Sequence, residues 1–468
     1  MGSLLFSAAH KSSGKTTLSI GVCAALARRG LKVQPFKKGP DYIDPIWLAM
    51  AAGKACYNLD FYIAGEQETV DDFHHRRQGA DIAIIEGNKG LHDGLDLDGG
   101  NSNAALAKAL NTPVIMVVDA RGTIRGIAPL LLGYQMFDRD VRIAGVIANM
   151  TGGKRHESKL RAAVERYTDI PFLGSLEKRD EFELTERHLG LIPGYEDPES
   201  QARIEIIARA VEECIDLDRI VELGDSSKQP SVTTPDSASD RVFKGLRIGI
   251  VQDRAFGFYY PGDLEAMQEA GAELIRIDAL HDTRLPEIDG LFIGGGFPER
   301  HAEALQQNSS LRNEIRLAIE SGLPAYAECG GIMYLSQSLS WQEQTFEMAG
   351  VIPAKTIVHE RPQGRGYVKL TENDRHPWPF PPSRESVMHA HEFHYSALEN
   401  FSEALPYAYR MTRGYGISGV DDGLVYKNLL GSYTHLRNTA QTPWVRRFLS
   451  FVQNCKAPHL DKKMVSGI

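Results

Sequence analysis

The chain has 468 residues, of which 42% are hydrophobic and 24% are charged, and its formal net charge is −9. This length exceeds what one hydrophobic core serves and favours two domains, while the negative charge argues against nucleic acid as the main partner. The five cysteines lie far apart without a C-x-x-C pair, which disfavours a disulfide framework and a zinc site. The sequence also lacks a signal-peptide pattern and an 18-residue apolar stretch, so a cytoplasmic protein is expected.

The first predicted element is a strand that leads through a polar loop into a helix. Leu4 to Phe6 form the strand, SSGKTT forms the loop, and the helix ends at Gly30. Because the first N–H groups of a helix have no partner within it, they bind anionic oxygens, and the helix dipole adds to the attraction. The pattern predicts a phosphate loop in which Lys15 reaches the β- and γ-phosphates and the Thr16 hydroxyl ligates Mg²⁺. The predicted nucleotide-binding residues of the loop are Ser12, Ser13, Gly14, Lys15, Thr16 and Thr17.

The match to the phosphate-loop pattern G-x-x-x-x-G-K-[ST] is incomplete, because Ala9 stands where the first glycine is expected. The alternative interpretation is a solvated serine-rich turn ahead of an ordinary amphipathic helix. The strand before the loop and the helix after it are the context that nucleotide binding requires, and they favour the phosphate loop.

Four carboxylates follow predicted strands of the same sheet. Asp41 and Asp44 belong to the turn KKGPDYIDP, Glu86 ends an apolar strand, and Asp93 lies in the loop GLHDG. Since ligands bind at the carboxyl ends of strands in such sheets, these acids are expected to converge. Glu86 is the predicted further Mg²⁺ ligand, and acids clustered in this way suit Mg²⁺ coordination and the handling of an amine nucleophile. The alternative is a set of surface acids in capped loops.

Further strands are predicted at 113–119, 143–149 and 170–173, in alternation with helices. This alternation predicts a parallel sheet that is covered on both faces. Asn149 ends one of these strands, where folds of this type read the nucleotide base, although a simple turn asparagine is equally consistent. Residues 1–221 are therefore predicted to form an α/β domain that binds ATP.

A change of composition separates this domain from the rest of the chain. Residues 222–244 lose hydrophobic periodicity and are rich in Ser, Thr, Asp and Pro, which is typical of a flexible linker. The strand pattern restarts at 245–251, so residues 245–468 are predicted as a second α/β domain.

The second domain carries a cysteine at a predicted turn from strand to helix. Cys329 is followed by glycines, in the arrangement of a nucleophile elbow. A helix N-terminus favours the thiolate, which is the nucleophilic form. Backbone N–H groups of Gly330, Gly295 and Gly296 are predicted to form an oxyanion hole. The alternative is a buried structural cysteine, but the flanking glycines favour a site that the backbone must approach closely.

Several histidines are candidates for the base that activates this cysteine. His435 follows the predicted strand 424–430, at its ligand-binding end, and is the predicted base. The stretch HAHEFHYS is predicted as a strand whose histidines serve packing and hydrogen bonding, and no fourth ligand accompanies them to indicate a metal. The remaining candidates are His359, His389, His391 and His394.

Seven motifs, in this order, resemble those of the cobyrinic acid a,c-diamide synthase family over nearly the whole chain except the linker. They are SSGKTT, FKKGPDYIDP, IIEGNKGLHDG, IGGGFPE, YAECGGIMYL, HEFHYS and GLVYKNLLGSYTHLR. The resemblance implies a P-loop domain similar to dethiobiotin synthetase joined to a flavodoxin-like class I glutamine amidotransferase domain. It implies a ligase that uses ATP and Mg²⁺ to activate a tetrapyrrole carboxylate as an acyl phosphate, with L-glutamine as the source of ammonia.

The resemblance also implies roles for matched residues. Lys15 and Thr16 hold ATP and Mg²⁺, with Glu86 as a further metal ligand, while Asp41, Asp44 and Asp93 organise the activated carboxylate and ammonia. Cys329 forms a glutamyl thioester, and His435 moves its proton. Neither nucleic acid nor a membrane is an expected partner, and a homodimer is kept as a candidate assembly.

Three alternatives to amidation of cobyrinic acid stay open. The loop AHKSSGKT and the residues Asn88, Lys89 and His92 depart from the family pattern, which favours a branch acting on sirohydrochlorin, its nickel complex or sirohaem. A second alternative is cobyric acid synthase, although the turn GPDYIDP and the length favour the diamide enzyme. A third is a regulatory P-loop ATPase with an inert amidotransferase-like domain; such proteins carry a lysine where this chain has His10.

Overall fold

The structure is a computed structural model that describes residues 2–184, 186–187, 190–225, 242–382 and 386–465. Contacts divide the chain into two compact units, the first with residues 1–61 and 65–235 and the second with residues 62–64 and 236–468. Of the predicted linker, residues 222–225 end a helix, and residues 226–241 lie outside the described residues. The linker and the domain limits stay predictions.

Residues 2–225 alternate between strands and helices. The strands are β1 (Gly2–Ala8), β2 (Val33–Lys38), β3 (Tyr57–Leu59), β4 (Ile82–Glu86), β5 (Val114–Asp119), β6 (Ile143–Thr151), β7 (Phe172–Glu177), β8 (Glu186–Arg187) and β9 (Gly190–Leu191). The helices are α1 (Lys15–Arg28), α2 (Ile43–Ala52), α3 (Phe61–Ala64), α4 (Glu66–Arg76), α5 (Asn103–Ala109), α6 (Ile127–Phe137), α7 (Lys154–Tyr167), α8 (Ser200–Cys214) and α9 (Leu217–Asp225), with a 3₁₀ turn at Asp180–Phe182.

The first unit is built on a parallel sheet, as predicted. In the described part of the unit, seven strands pair in the order β3-β2-β4-β1-β5-β6-β7, and every pairing is parallel. The central strand β1 therefore lies between β4 and β5, so the loops that follow β1, β2 and β4 lie at the same edge of the sheet. This topology positions the predicted phosphate loop beside the acidic turns.

Both faces of this sheet are covered by hydrophobic cores. Side chains of β1 alternate between them: Leu4 and Phe6 pack into a cluster with α1 and α8, whereas Leu5 packs into the opposite cluster. A two-residue period with apolar groups on both faces is typical of a parallel strand buried between helix layers. In the described part of the chain, no helix combines the length and the apolar composition of a membrane span.

Residues 242–465 combine strands and helices in a second unit. The strands are β10 (Arg247–Val251), β11 (Phe256–Phe258), β12 (Glu273–Ile277), β13 (Gly290–Ile293), β14 (Gly295–Gly296), β15 (Ala325–Glu328), β16 (Ser336–Trp341), β17 (Gln344–Glu347), β18 (Ile352–Val358), β19 (Gly364–Glu372), β20 (Val387–His394), β21 (Ser396–Glu399), β22 (Tyr407–Arg413), β23 (Asp421–Tyr426), β24 (Leu429–Ser432) and β25 (Thr434–His435). The helices are α10 (Pro261–Glu269), α11 (Ala302–Gln307), α12 (Ser309–Glu320), α13 (Gly330–Leu335) and α14 (Trp444–Val465), with a 3₁₀ turn at Pro298–His301.

The main sheet of this unit is mixed. Its described strands follow the order β12-β10-β13-β15-β24-β23-β22-β19-β20-β25, parallel from β12 to β24 and antiparallel beyond. A separate four-stranded sheet of this unit has the strand order β17-β16-β18-β21. The predicted α/β fold class is therefore confirmed for both units, and β15 delivers Cys329 at the carboxyl end of the parallel part.

The prediction of one strand over 424–430 is wrong, because the segment is a hairpin. β23 and β24 pair antiparallel, with Tyr426 opposite Leu429. The two residues between them are Lys427, which has φ +50°, and Asn428. Positive φ suits the tight turns that match the twist of adjacent strands, and asparagine is frequent in them. His435 consequently follows β24 rather than one long strand.

We expect Gly21→Ala to destabilise the first unit. A methyl group on Gly21 would lie 2.6 Å from Val211 Cγ2 and 2.8 Å from Ile207 Cγ2, where α1 packs against α8. Overpacking of this kind costs about 1–3 kcal/mol.

The matched control is Gly133→Ala on α6, whose methyl group would meet nothing within 4 Å and which gains about 0.5–1 kcal/mol of helix propensity. Thermal unfolding of the full chain measures both effects. Equal melting temperatures for the two variants would contradict the close packing of α1 on α8.

Candidate active sites

The polar loop between β1 and α1 has a shape that its own side chains and a neighbouring strand maintain. Ser13 donates through Oγ to the His10 carbonyl at 2.9 Å, and Asn149 at the end of β6 donates through Nδ2 to the Ser13 carbonyl at 3.0 Å. Gly14 has φ +85°, and a Cβ there would lie 1.9 Å from Asn149 Nδ2. Only glycine therefore fits this position. Asn149 supports the loop, and its reading of a base stays a prediction.

The loop opens into a cavity of about 1160 Å³, large enough for a nucleotide. Most of the predicted site residues line it: Ser12, Gly14, Lys15, Thr16, Thr17, Asp41, Asp44 and Asn149. Ser13 is buried beneath the loop. Helix α1 starts at Lys15, and its first intrahelical bond runs from Leu18 N–H to the Gly14 carbonyl, so the preceding N–H groups have no acceptor within the helix. A triphosphate is the ligand that this end of the cavity favours.

A buried lysine connects the predicted acids. Lys37, at the end of β2, has Nζ 2.5 Å from Asp44 Oδ2, 3.0 Å from Glu86 Oε1 and 3.9 Å from Asp41 Oδ2. Thr16 donates through Oγ1 to the same Glu86 oxygen at 2.6 Å. The ammonium group thus offsets the repulsion among carboxylates that the clustering of acids implied. Sequence reasoning did not select Lys37.

Burial and charge act in opposite directions on these groups. Burial raises the pKa of Glu86 to about 7, although Lys37 and Thr16 oppose the shift. Burial alone would lower the pKa of Lys37, but the surrounding carboxylates, with Asp44 first, raise it above its ordinary value. Burial also lowers the pKa of Lys15, against the influence of Glu86. Lys37 is therefore held as a cation.

Asp41 and Asp93 also shape their own loops. Asp41 accepts through Oδ1 from the N–H groups of Ile43 at 2.9 Å and Asp44 at 3.1 Å, which orders the start of α2. Asp93 is exposed and accepts through Oδ2 from Gly90 N–H at 3.0 Å. Each carboxylate keeps a second oxygen beyond these bonds. Their catalytic roles stay predictions.

The residues around Glu86 fit a Mg²⁺ ion that is shared with a nucleotide. Glu86 Oε2 is buried and has no hydrogen-bond partner among the described residues, while the Thr16 hydroxyl lies 2.6 Å from Glu86 Oε1 and 3.4 Å from Asp44 Oδ2. In the described ranges, no three acidic, histidine or cysteine side chains form a complete metal cage. Mg²⁺ takes one or two carboxylates together with phosphate oxygens and water, so a partial set of donors agrees with it.

Cys329 occupies a strained turn between β15 and α13. Its backbone has φ +45° and ψ −101°, and its N–H donates to the Ser432 carbonyl at 2.8 Å. A Cβ on Gly330 would lie 3.0 Å from Gly296 N, and one on Gly331 would lie 2.4 Å from the Ile293 carbonyl oxygen. The elbow therefore packs backbone against backbone on the neighbouring β13–β14 segment. Close packing explains these glycines, and the oxyanion hole stays a prediction.

The cysteine is buried, and this burial reverses one expectation. Burial, followed by the nearby Glu299, raises the pKa of the Cys329 thiol, while Gly330 N–H lowers it. The prediction that the helix N-terminus favours the thiolate is wrong for this structure, because α13 has only six residues and desolvation dominates. The resting group is a thiol, which needs a base.

His435 lies next to the elbow. A Cβ on Gly295 would come within 2.6 Å of His435 Cε1 and 3.5 Å of its Nε2, so the ring packs against the predicted oxyanion segment. Its Nδ1 lies 3.1 Å from Oε2 of Glu328, the residue that precedes the cysteine. Sequence reasoning did not select Glu328 either.

The other candidate bases have different surroundings. His391 pairs with His435 across β20 and β25, and the rings stack with centroids 5.0 Å apart. His394 stacks on Tyr433, and its Nδ1 lies 2.8 Å from the Ser396 carbonyl oxygen. His359 Nε2 lies 3.2 Å from Glu399. His389 lies in β20 and is half-buried. These contacts agree with the predicted structural roles of the HAHEFHYS histidines.

Two family models match the chain. The model described as the CobQ/CobB/MinD/ParA nucleotide binding domain matches residues 6–192, and the CobB/CobQ-like glutamine amidotransferase domain matches residues 247–442. A Magnetococcus marinus protein named cobyrinate a,c-diamide synthase is 45% identical over 446 residues, which cover 94% of this chain and 95% of that protein. Proteins of the same name from Methanosarcina acetivorans and Archaeoglobus fulgidus are each 39% identical to this chain. Each match spans 93% of this chain, together with 92% of the first protein and 94% of the second.

The chain belongs to the cobyrinate a,c-diamide synthase family. The resemblance that its motifs indicated is confirmed, and so is the prediction of a ligase that takes nitrogen from glutamine. The loop around Lys15 lies in the part of the chain that matches the nucleotide-binding domain, and the Cys329 elbow lies in the part that matches the glutamine amidotransferase domain.

Both residues that sequence reasoning missed share one signal. Lys37 and Glu328 are charged side chains at the ends of apolar strands, as is Glu86, which was selected on that signal. Burial of a charge at such a position requires a partner. The same criterion, applied to the last two residues of every strand, includes all three residues.

We expect the alkylation of Cys329 to keep rising with pH in the glutamine-free enzyme. Because burial raises the pKa of the thiol, the rate should increase about tenfold per pH unit between about pH 8 and 10, whereas free cysteine levels off near its ordinary pKa of about 8.5. Mass spectrometry of the Cys329 peptide after timed iodoacetamide exposure measures the rate, with free cysteine as the control. A plateau below about pH 9 would show an ordinary or lowered pKa.

Proposed function

We propose that the chain catalyses the ATP-dependent, glutamine-hydrolysing amidation of the a and c acetate carboxylates of a tetrapyrrole of the cobyrinic acid type. The observation that carries the proposal is the match to proteins named cobyrinate a,c-diamide synthase over more than nine tenths of both chains. The cavity with Lys15 at one end and the elbow with Cys329 supply the groups that the two half-reactions need.

In the first half-reaction, a substrate carboxylate oxygen attacks the γ-phosphorus of ATP, which yields an acyl phosphate and ADP. Ammonia then attacks the acyl carbon, forms the C–N bond and displaces phosphate. Lys15 and the loop N–H groups stabilise the negative charge on the phosphates. When bound, Mg²⁺ would neutralise phosphate charge, and Thr16, Glu86 and Asp44 would hold it.

The aspartates and Lys37 have complementary parts in this reaction. Lys37 holds Asp44 and Glu86 in place and favours the ionised form of Glu86, since its ammonium group contacts both carboxylates. Asp41, Asp44 and Asp93 organise the activated carboxylate, and one of their carboxylates takes the proton that ammonia loses on attack. Lys37 and Glu86 are buried, which limits water beside them; water would otherwise hydrolyse the acyl phosphate.

In the second half-reaction, Cys329 Sγ attacks the side-chain amide carbon of glutamine while its proton passes to His435. The oxyanion that forms is stabilised by N–H groups of Gly295, Gly296 and Gly330. His435 then gives the proton to the departing ammonia, and a glutamyl thioester remains. Water, deprotonated by His435, attacks the thioester and releases glutamate and the thiol.

A panel of tetrapyrrole acids tests the substrate. Each acid is incubated with ATP and glutamine, and the amides added are counted by mass spectrometry. Two amides on cobyrinic acid support the proposal. Reaction with sirohydrochlorin, its nickel complex or sirohaem alone would assign the other macrocycle, and four amides would indicate the cobyric acid synthase reaction. ATP hydrolysis without amide formation on any acid would favour the regulatory ATPase.

We expect Cys329→Ala to abolish amidation with glutamine and to retain amidation with free ammonia. The reason is that the variant loses only the source of ammonia, while the residues around Lys15 are unchanged. Product formation with each nitrogen donor, at saturating ATP, gives the comparison. Equal loss with both donors in a folded variant would contradict the assignment of the two half-reactions.

We expect Lys37→Met to abolish amidation with both nitrogen donors. The substitution leaves Asp44 and Glu86 without their cation, which costs about 3–5 kcal/mol for a broken buried pair, and it removes the charge that lowers the pKa of Glu86. Lys32→Met, at the exposed position just before β2, is the matched control and should keep both activities. Glutaminase activity in Lys37→Met checks that the second unit stays folded. Wild-type amidation in Lys37→Met would contradict the role of the ammonium group.

A further inference from the structure

The carboxylate of Glu328 has three hydrogen-bond partners at the end of β15. Oε1 accepts from the Tyr326 hydroxyl at 2.6 Å and from Leu436 N–H at 3.0 Å. Oε2 lies 3.1 Å from His435 Nδ1. The side chains of Glu328 and His435 are each only 3% exposed, so water does not screen this contact.

This arrangement decides which nitrogen of His435 carries the proton. Tyr326 and Leu436 occupy Oε1, so the carboxylate meets the imidazole through Oε2. A carboxylate accepts only, and the neutral ring therefore donates from Nδ1. The basic lone pair is then on Nε2, which lies on the side of the ring that faces Gly295 in the predicted oxyanion segment.

Beside its contact with Glu328, the ring of His435 stacks on a second histidine. His391 stacks on the ring of His435 at an interplanar angle of 17°, and burial lowers the pKa of His391 well below its ordinary value, so this neighbour is neutral. The titratable groups that also interact with Glu328 are Tyr326, Cys329, Tyr409 and Asp263. Burial raises the pKa of Asp263 to about 7.

We propose that Glu328 is a positioning residue that fixes the Nδ1–H tautomer of His435 and stabilises its protonated form during glutamine hydrolysis. The inference rests on the proposed roles of Cys329 and His435. When the Cys329 proton moves to Nε2, the ring becomes a cation with Nδ1–H still bonded to Glu328. Return of the Nε2 proton to ammonia restores the neutral tautomer, so the carboxylate itself gains and loses no proton.

Glu328→Gln tests the proposal without changing the shape of the side chain. Tyr326 O–H and Leu436 N–H both donate, so they hold the amide oxygen at the Oε1 position and turn the amide NH₂ toward His435 Nδ1. The amide NH₂ and Nδ1–H are both donors and cannot bond to each other. The ring therefore carries its proton on Nε2, and Nε2 can then no longer accept the proton of Cys329. We expect the glutaminase kcat to fall by about 10³–10⁴-fold with little change in KM.

Three readouts separate positioning from general structural damage. The ¹⁵N shifts of His435 should report Nδ1–H in the wild type and Nε2–H in Glu328→Gln. Amidation with free ammonia should be unchanged in Glu328→Gln. Glu328→Asp keeps a carboxylate, so it should restore part of the glutaminase activity, with a pH profile of that activity closer to the wild type. The matched control is Glu392→Gln, since Glu392 is equally buried but bonds to Tyr415 and Gly416 N–H groups.

The outcomes distinguish this inference from the proposed function. Wild-type glutaminase activity or an unchanged tautomer in Glu328→Gln would overturn the inference while Cys329→Ala still abolishes glutamine use. Equal losses in Glu328→Gln and Glu392→Gln, with no tautomer change, would reduce Glu328 to a structural role. Glutamine use that survives Cys329→Ala would overturn the proposed function instead.

Discussion

A carboxylate buried at the end of a parallel strand is the feature on which both candidate sites depend. Glu86 ends β4 and Glu328 ends β15, and each is almost fully removed from water. An isolated charge in such a position is costly, so each strand end must supply a partner. The partner is the ammonium group of Lys37 in the first unit and the imidazole of His435 in the second. Each pair lies beside the group that reacts or binds, because the carboxyl ends of parallel strands are also where ligands enter.

The two sites use charge in opposite ways. The first gathers carboxylates around the ammonium group of Lys37, which suits a ligand that brings phosphate and a metal ion with it. In the second, burial raises the pKa of the Cys329 thiol and lowers that of His391, so neither of these two groups is charged at rest. Charge then separates only when the thiol proton moves, beside a carboxylate already in place to stabilise the cation. Because the carboxylate is already in place, no reorganisation is needed to stabilise the charge that develops in a reaction that begins and ends with a neutral cysteine.

Several sequence predictions failed or stayed open for identifiable reasons. The single strand at 424–430 is a hairpin because Lys427 adopts a positive φ, which no periodicity reveals. The thiolate at Cys329 was predicted from the helix N-terminus, but burial dominates in a six-residue helix. The elbow glycines indicated close approach, and the approach that the structure contains is backbone to backbone, at Gly296 and Gly331. Asn149 was assigned to the base or to a turn, and its side chain supports the phosphate loop.

The sequence by itself determined the α/β class, the strand–loop–helix at Lys15, the cysteine elbow and the family, because these features are local in the chain and carry distinctive residue spacing. Only the tertiary structure decided which charges meet. The contact of Lys37 with Glu86 joins residues 49 positions apart, and that of Glu328 with His435 joins residues 107 positions apart. Such pairs depend on strand order and on the burial that follows from it, and a linear pattern contains neither. Strand ends could be identified from the chain, but their partners required the assembled sheet.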